Sequence, residues 1–187
     1  MAIIRFVISL FLISLLPTIA TAFEWHIVPD KSSLHFKAIQ NNSPIKGEFK
    51  AFTGNIDFDQ QALNKSHVEI IVNTASVSTS FKDVADALKT AEWFDIKAFP
   101  KATFSAADFK KINDKDYEAQ GKLTLRDKTL PLTLYFTFEK YTDVDAVVTG
   151  HTTLKRTEFG VGQGEWKKTD GVKDDVEINF KIEAVRK

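Results

Sequence analysis

The sequence predicts an all-β protein with one short helix, its strands closing into a barrel or packing as a sandwich. Three observations carry this: period-two alternation of apolar and polar residues over most of the chain, one interruption at helical spacing, and an N-terminal segment unlike either. A strand sends successive side chains to opposite faces, so alternation marks a sheet that is oily on one side and wet on the other. About eight or nine such strands, parted by polar or glycine-bearing turns, imply a closed barrel or a sandwich.

The alternation is cleanest late in the chain. Between Thr129 and Glu139 the even positions are Leu130, Leu132, Leu134, Phe136 and Phe138, and the odd ones are mostly polar. Val176, Ile178, Phe180, Ile182 and Ala184 alternate with Asp175, Glu177, Asn179, Lys181 and Glu183. Weaker strands run through Trp25–Val28, Ser33–Ile39, Phe52–Phe58, Val68–Val72, Ala102–Ala106, Tyr117–Leu125 and Ala146–Leu154. Phe49 is out of phase with Phe52, which predicts a bulge near Lys50 and Ala51. Phe81, Val84, Ala85 and Leu88 follow the i, i+3, i+4, i+7 stripe of an amphipathic helix, and Ser80 with Asp83 reads as a capping box. That helix either packs on the outer wall or, with Trp93 and Phe94, covers a barrel mouth.

Residues 1–22 read as a secretory signal peptide: Arg5 is basic, Phe6–Leu16 is largely apolar, and Ala20-Thr-Ala22 suits cleavage after Ala22. The apolar run is short for a membrane span. The expectation is one exported domain, residues 23–187, in the periplasm. Its formal charge is −1, since the signal holds one basic residue and no acid. Nucleic acid, whose phosphates demand a basic surface, is therefore not an expected partner. Cysteine is absent, which excludes disulfides, thiolate metal sites and thiol nucleophiles.

Reactive constellations are scarce. His26, His35, His67 and His151 fall on different strands without ligand spacing, so solvated strand histidines are expected, with no metal or other cofactor. Phe159-Gly-Val-Gly-Gln-Gly-Glu-Trp166 matches neither a dinucleotide fingerprint nor a P-loop and reads as a glycine-permissive loop. No nucleophile elbow is present. Fourteen phenylalanines remain after the signal, and a closed eight-stranded barrel is either filled by such side chains or holds one small ligand.

The order of motifs resembles the YceI family over essentially the whole mature chain. The matching pieces include Trp25-His-Ile-Val-Pro-Asp30, Ser33-Leu-His-Phe36, Gly54-Asn-Ile-Asp-Phe58, Trp93-Phe-Asp95, Phe99-Pro-Lys-Ala-Thr-Phe104 and Leu154-Lys-Arg-Thr-Glu-Phe-Gly160. The resemblance implies a lipocalin-like, extended antiparallel barrel with a helical cap, binding and carrying a polyisoprenoid lipid or an isoprenoid quinone. Where the family often carries an Arg-Asp pair and a histidine, this chain has Val84-Ala85 and Ala87, which favours a neutral head over a pyrophosphate. The Gly160–Trp166 segment looks like a branch found beside cytochrome b561-type membrane proteins, and that pairing implies such a partner. A homodimer is the other expected association.

Phe36, Phe49, Phe52, Ile56, Val68, Ile70, Leu123, Leu134, Phe136, Phe138, Ile178 and Phe180 are expected to line the cavity. Phe81, Val84, Leu88, Trp93 and Phe94 are expected to form its lid. Arg156 reads as a structural cation, in a surface ion pair, or as a guanidinium at the mouth holding a polar head or an internal carboxylate. The alternatives are a hydrolase-type enzyme, which needs a lumenal carboxylate or histidine cluster, and a filled-core accessory protein of a membrane cytochrome.

Overall fold

The computed structural model describes residues 23–187, so the expected signal peptide lies outside the described residues. The strands are β1 (Glu24–Ile27), β2 (Ser33–Gln40), β3 (Ser43–Phe49), β4 (Phe52–Asp57), β5 (His67–Asn73), β6 (Val77–Thr79), β7 (Lys101–Lys111), β8 (Asp116–Leu125), β9 (Lys128–Tyr141), β10 (Asp145–Lys155) and β11 (Asp175–Arg186). One helix, α1 (Lys82–Leu88), interrupts them. All neighbouring strands pair antiparallel, and β1 pairs with β11 to close the sheet on itself.

Three staves of this barrel are broken strands. β1 and β2 lie end to end along β11, through Ile27↔Ala184 and Ser33↔Lys181, with the 3₁₀ turn Pro29–Lys31 between them. β3 and β4 follow the same path and part at Lys50-Ala51, where the phases of Phe49 and Phe52 disagree. β5 and β6 repeat it across the turn Thr74–Ser76. Taken this way, eight staves close the ring, and the architecture is a barrel rather than a sandwich.

Bulges in two other staves switch which residues face inward. In β7 the register with β8 shifts between Ala106 and Asp108, so Phe109 joins Phe104 on the inner face. Between β9 and β10 it shifts at Val147/Val148, and Tyr141 turns inward although it is odd-numbered among even neighbours. Gly150 is needed for close approach: a Cβ there would sit 2.2 Å from Cζ of Phe180 and 2.6 Å from the Tyr135 carbonyl.

The two ends of the barrel differ. One is plugged by Trp25, Phe58, Tyr117, Phe138, Ala146 and Ala184. At the other, Ala102 and Leu125 pack against Phe159 and Val161 of the 156–174 loop that joins β10 to β11. The segment from α1 to β7 lies at this second end. Gly162 and Gln163 donate backbone N–H groups to the Glu92 carbonyl at 2.8 and 2.7 Å, and Trp166 packs 5.7 Å from Trp93.

The expected capping box does not form. The N-cap is Phe81 and it makes no side-chain bond. Thr79 acts instead, its hydroxyl accepting from the Phe81 N–H at 3.2 Å and donating to the Phe81 carbonyl at 2.6 Å. Ser80 is thus displaced from the capping position by a turn made one residue earlier.

Candidate ligand cavity

The barrel interior holds an elongated cavity of about 300 Å³. It reaches from Trp25, Phe58 and Tyr141 at the plugged end to Leu88, Trp93 and Phe94 at the mouth. That volume falls at the small end of the range for small-molecule sites. Inward-facing residues such as Leu34, Ile70, Leu123, Leu134, Ile178 and Phe180 are only half-buried. A filled core would bury them fully, so their remaining exposure is to the cavity.

Every residue expected on the barrel wall is on it: Phe36, Phe49, Phe52, Ile56, Val68, Ile70, Leu123, Leu134, Phe136, Phe138, Ile178 and Phe180. The strand phase puts them there. The lid divides. Leu88, Trp93 and Phe94 line the cavity, with the Phe94 ring edge-on to Phe49 at 5.5 Å. Val84 and Phe81 do not line it; Val84 is half-buried elsewhere, and Phe81 is 61% exposed. The reason is that α1 is only seven residues long, and the turns after it, rather than its apolar stripe, cross the mouth. Arg126 pins those turns, donating to the carbonyls of Ala91 and Trp93.

Arg156 is buried at 2% exposure on the cavity wall, at the start of the 156–174 loop. It is not a surface ion pair. Nε donates to the Lys173 carbonyl at 3.1 Å, Nη1 to Val161 at 3.0 Å, and Nη2 to Lys168 at 3.0 Å and Val172 at 2.8 Å. The guanidinium thus ties together four backbone carbonyls of one loop, and it lies 5.7 Å from the Trp93 ring. Burial pushes its pKa down, and the charge of Asp174 opposes this. Burial alone would raise Asp174, but the Thr157 N–H and hydroxyl, at 3.0 and 2.8 Å, outweigh it and hold the carboxyl below its usual range.

The glycine segment follows from that loop. Gly160, Gly162 and Gly164 all have positive φ. At Gly162, with φ +84°, a Cβ would come within 2.2 Å of Nη1 of Arg156. Only glycine lets the backbone approach the buried guanidinium so closely.

Three further polar side chains on the wall are also engaged. Trp25 Nε1 donates to the Phe58 carbonyl at 2.9 Å, Thr74 Oγ1 to Phe99 at 2.8 Å and Thr152 Oγ1 to Thr133 at 2.8 Å. The lining contains no carboxylate and no histidine. His26, His35, His67 and His151 are all exposed; His67 contacts Asp57 at 2.8 Å, and His151 stacks on Tyr135. No cluster of three potential metal ligands occurs among the described residues.

Sequence reasoning missed several lining residues. Phe109 and Tyr141 are hidden by bulges, and Thr74, Val161 and Val172 come from irregular segments without a period. Leu132, Val176 and Ile182 were legible, since they share the phase of residues that were assigned.

The family model described as the YceI-like domain matches residues 25–184. A Pseudomonas putida protein described as a UPF0312 protein is 27% identical over 148 residues, covering 76% of this chain and 74% of its own. The crystal structure of Burkholderia cenocepacia BcnA superposes with a TM-score of 0.79 at 30% identity, covering 84% of this chain and 98% of that one. A polyisoprenoid binding domain from Saccharophagus degradans, implicated in plant cell wall breakdown, shares the fold at a TM-score of 0.69 and 11% identity, with coverages of 88% and 99%. With the family model spanning nearly all the described residues, the chain belongs to the YceI-like domain family.

Proposed function

We propose that this protein binds and carries a long hydrophobic ligand, an isoprenoid lipid or isoprenoid quinone, inside its barrel. The observation that carries this reading is the cavity itself: barrel-long, walled by aliphatic and aromatic side chains, and leaving wall residues such as Leu34, Ile70, Leu134, Ile178 and Phe180 half-buried. A tail threaded along it would gain up to about 0.8 kcal/mol for each methylene removed from water. Specificity would come from length and shape, with few polar contacts at the head. The shared fold of the Saccharophagus degradans polyisoprenoid binding domain supports the ligand class.

A hydrolase would need lumenal carboxylates or histidines, and the lining offers neither. A filled-core accessory protein would need an interior without room, which the half-buried wall opposes. The likeness of residues 1–22 to a secretory signal peptide supports a periplasmic carrier. The likeness of Gly160–Trp166 to chains found beside cytochrome b561-type proteins supports a quinone-using membrane partner. The test is organic extraction and mass spectrometry of protein purified from its exporting cell. A co-purifying isoprenoid is expected; empty extracts from protein that also takes up no added quinone or polyprenol would overturn the proposal.

A further inference from the structure

The barrel wall is incomplete at its mouth. Among the described residues, β6 pairs with β3 on one edge and with no strand on the other. β7 would be the neighbour on that side, but it begins at Lys101, opposite Asn73 at the end of β5, and so stops short of β6. The segment 80–100 fills the space: α1 packs on β6, the Phe94 ring meets Phe49 of β3, and Trp93 and Phe94 face the cavity. This filling is lightly held. Within 80–100 only Ala85 is buried, whereas the neighbouring 156–174 loop buries Arg156, Phe159, Val161, Gly162 and Val172. Segments with few buried side chains open at the lowest cost, so of the two covers of the mouth the 80–100 segment is the easier to open.

The ends of the segment are fixed and its middle is clasped. Thr74, 1% exposed, donates its backbone N–H to the Pro100 carbonyl at 3.0 Å and its hydroxyl to the Phe99 carbonyl at 2.8 Å. At the other end the Thr79 hydroxyl bonds both backbone groups of Phe81. Between these anchors, three successive carbonyls meet donors from outside the segment. Ala91 and Trp93 accept from Nη1 of Arg126, the first at 2.8 Å, and Glu92 accepts from the Gly162 and Gln163 N–H groups. Arg126 also stands over the Phe99 ring at 5.4 Å. It is the first residue of the two-residue turn between β8 and β9, with φ +55°. Glycine suits such a position in a hairpin turn, so an arginine there strains the backbone, and strain of this kind collects where a residue has a task.

Resting on the binding function above, we infer that residues 82–98 are a side gate to the cavity, hinged at Thr79–Phe81 and Phe99–Pro100, and that Arg126 is its latch. Opening carries Leu88, Trp93 and Phe94 off the cavity, and the ligand enters and leaves through the wall between β6 and β7. The 156–174 loop, knit by Arg156, stays in place. Arg126 hydrogen-bonds main-chain carbonyls of the gate and lies off the cavity lining. It therefore governs how often the gate opens, and with it the rate of exchange, while the closed form still dominates and the affinity holds.

The test compares wild type with Arg126→Gly, which suits the turn and removes only the latch, so the barrel should melt near its normal temperature. Association and displacement of menaquinone-4 are followed by stopped-flow quenching of tryptophan fluorescence, and amide hydrogen exchange of the ligand-free protein is read by NMR. Loss of two hydrogen bonds from a charged donor should speed both association and release by about tenfold or more and leave the equilibrium affinity nearly unchanged. Arg126→Lys, whose ammonium lacks the planar fork, should fall between. In Arg126→Gly the amides of Phe94, Asp95, Gly162 and Gln163, whose acceptors lie in the gate, should exchange faster, and those of Arg156, Gly160 and Val161 within the loop should not. Unchanged rates beside faster gate exchange overturn the inference, because the ligand then passes elsewhere. Equal acceleration of the loop amides overturns it too, since the whole mouth then opens together. Weakened affinity without faster association makes Arg126 a ligand contact and likewise overturns it. A wild-type protein that takes up neither menaquinone-4 nor a polyprenol overturns the binding function itself, and the gate with it.

Discussion

Leu134 sits near the middle of β9, opposite Ala119 on β8, and is half-buried with its side chain on the cavity wall. Replacing it with Trp adds about 60 Å³ of side chain to a close-packed wall with a cavity beside it. Against a cavity of about 300 Å³ this removes about one fifth of the space. It displaces about two methylenes of a bound tail, costing about 1.6 kcal/mol and weakening affinity about 15-fold. The ligand-free protein should move the other way. Filling a void recovers about 24 cal/mol per Å³, or about 1.4 kcal/mol here if the ring finds a relaxed rotamer. Quinone titration by fluorescence quenching, paired with urea denaturation of extracted protein, reads both signs. A Leu134→Trp variant that is destabilised by about 1 kcal/mol or more while binding normally would refute the reasoning, because the wall would then be full and the ligand elsewhere.

Other substitutions probe the mouth. Leu88→Asp places a charge where α1 ends on the cavity wall, so the cover should open locally and ligand release should quicken by about tenfold or more while the barrel melts near its normal temperature. Stopped-flow displacement checks this, and an unchanged off-rate in a clearly destabilised variant would count against a cover. Arg156→Ala strands four backbone carbonyls and should cost about 3 kcal/mol or more, seen as a melting temperature lowered by about 10 °C. Weakened binding at an unchanged melting temperature would mean that Arg156 serves the ligand rather than the loop. Asp174 has a folded pKa below its unfolded value of about 3.9, so its stabilisation is present above that pH and lost as pH falls through the lower folded value. Asp174→Asn should therefore be less stable than wild type at pH 7, with the difference closing as the pH approaches 3 or below in thermal melts.

The barrel wall was legible because a regular strand has a fixed period, and one inward phenylalanine therefore assigns its neighbours at i±2. That logic placed Leu134, Phe136 and Phe138 together, and Ile178 with Phe180. It fails where an inserted residue changes the phase. The break at Lys50-Ala51 was visible because both flanking residues, Phe49 and Phe52, are large and apolar. The bulges before Phe109 and Tyr141 were not, since polar residues surround them and one aromatic gives no phase. The mouth was the least legible part. The helical stripe of Phe81, Val84 and Leu88 suggested one apolar face, yet seven residues make too short a helix to bury it. Only its last residue reaches the cavity, and Trp93 and Phe94 arrive there from turns held by Arg126 and by the Glu92 carbonyl. For Arg156 the sequence alone offers a surface pair, an internal carboxylate or a ligand head. Its actual partners are carbonyls up to 17 residues away along the chain, and carbonyls leave no mark in side-chain sequence.

The claim that matters most is that the ligand lies inside the barrel. The crystal structure of the protein grown with menaquinone-4 tests it directly. Density should run along the barrel axis between Phe58 and Trp93, in contact with Phe104, Leu134 and Ile178. An empty interior with the quinone bound on the outer wall, or an interior closed by rotated phenylalanines, would contradict the account.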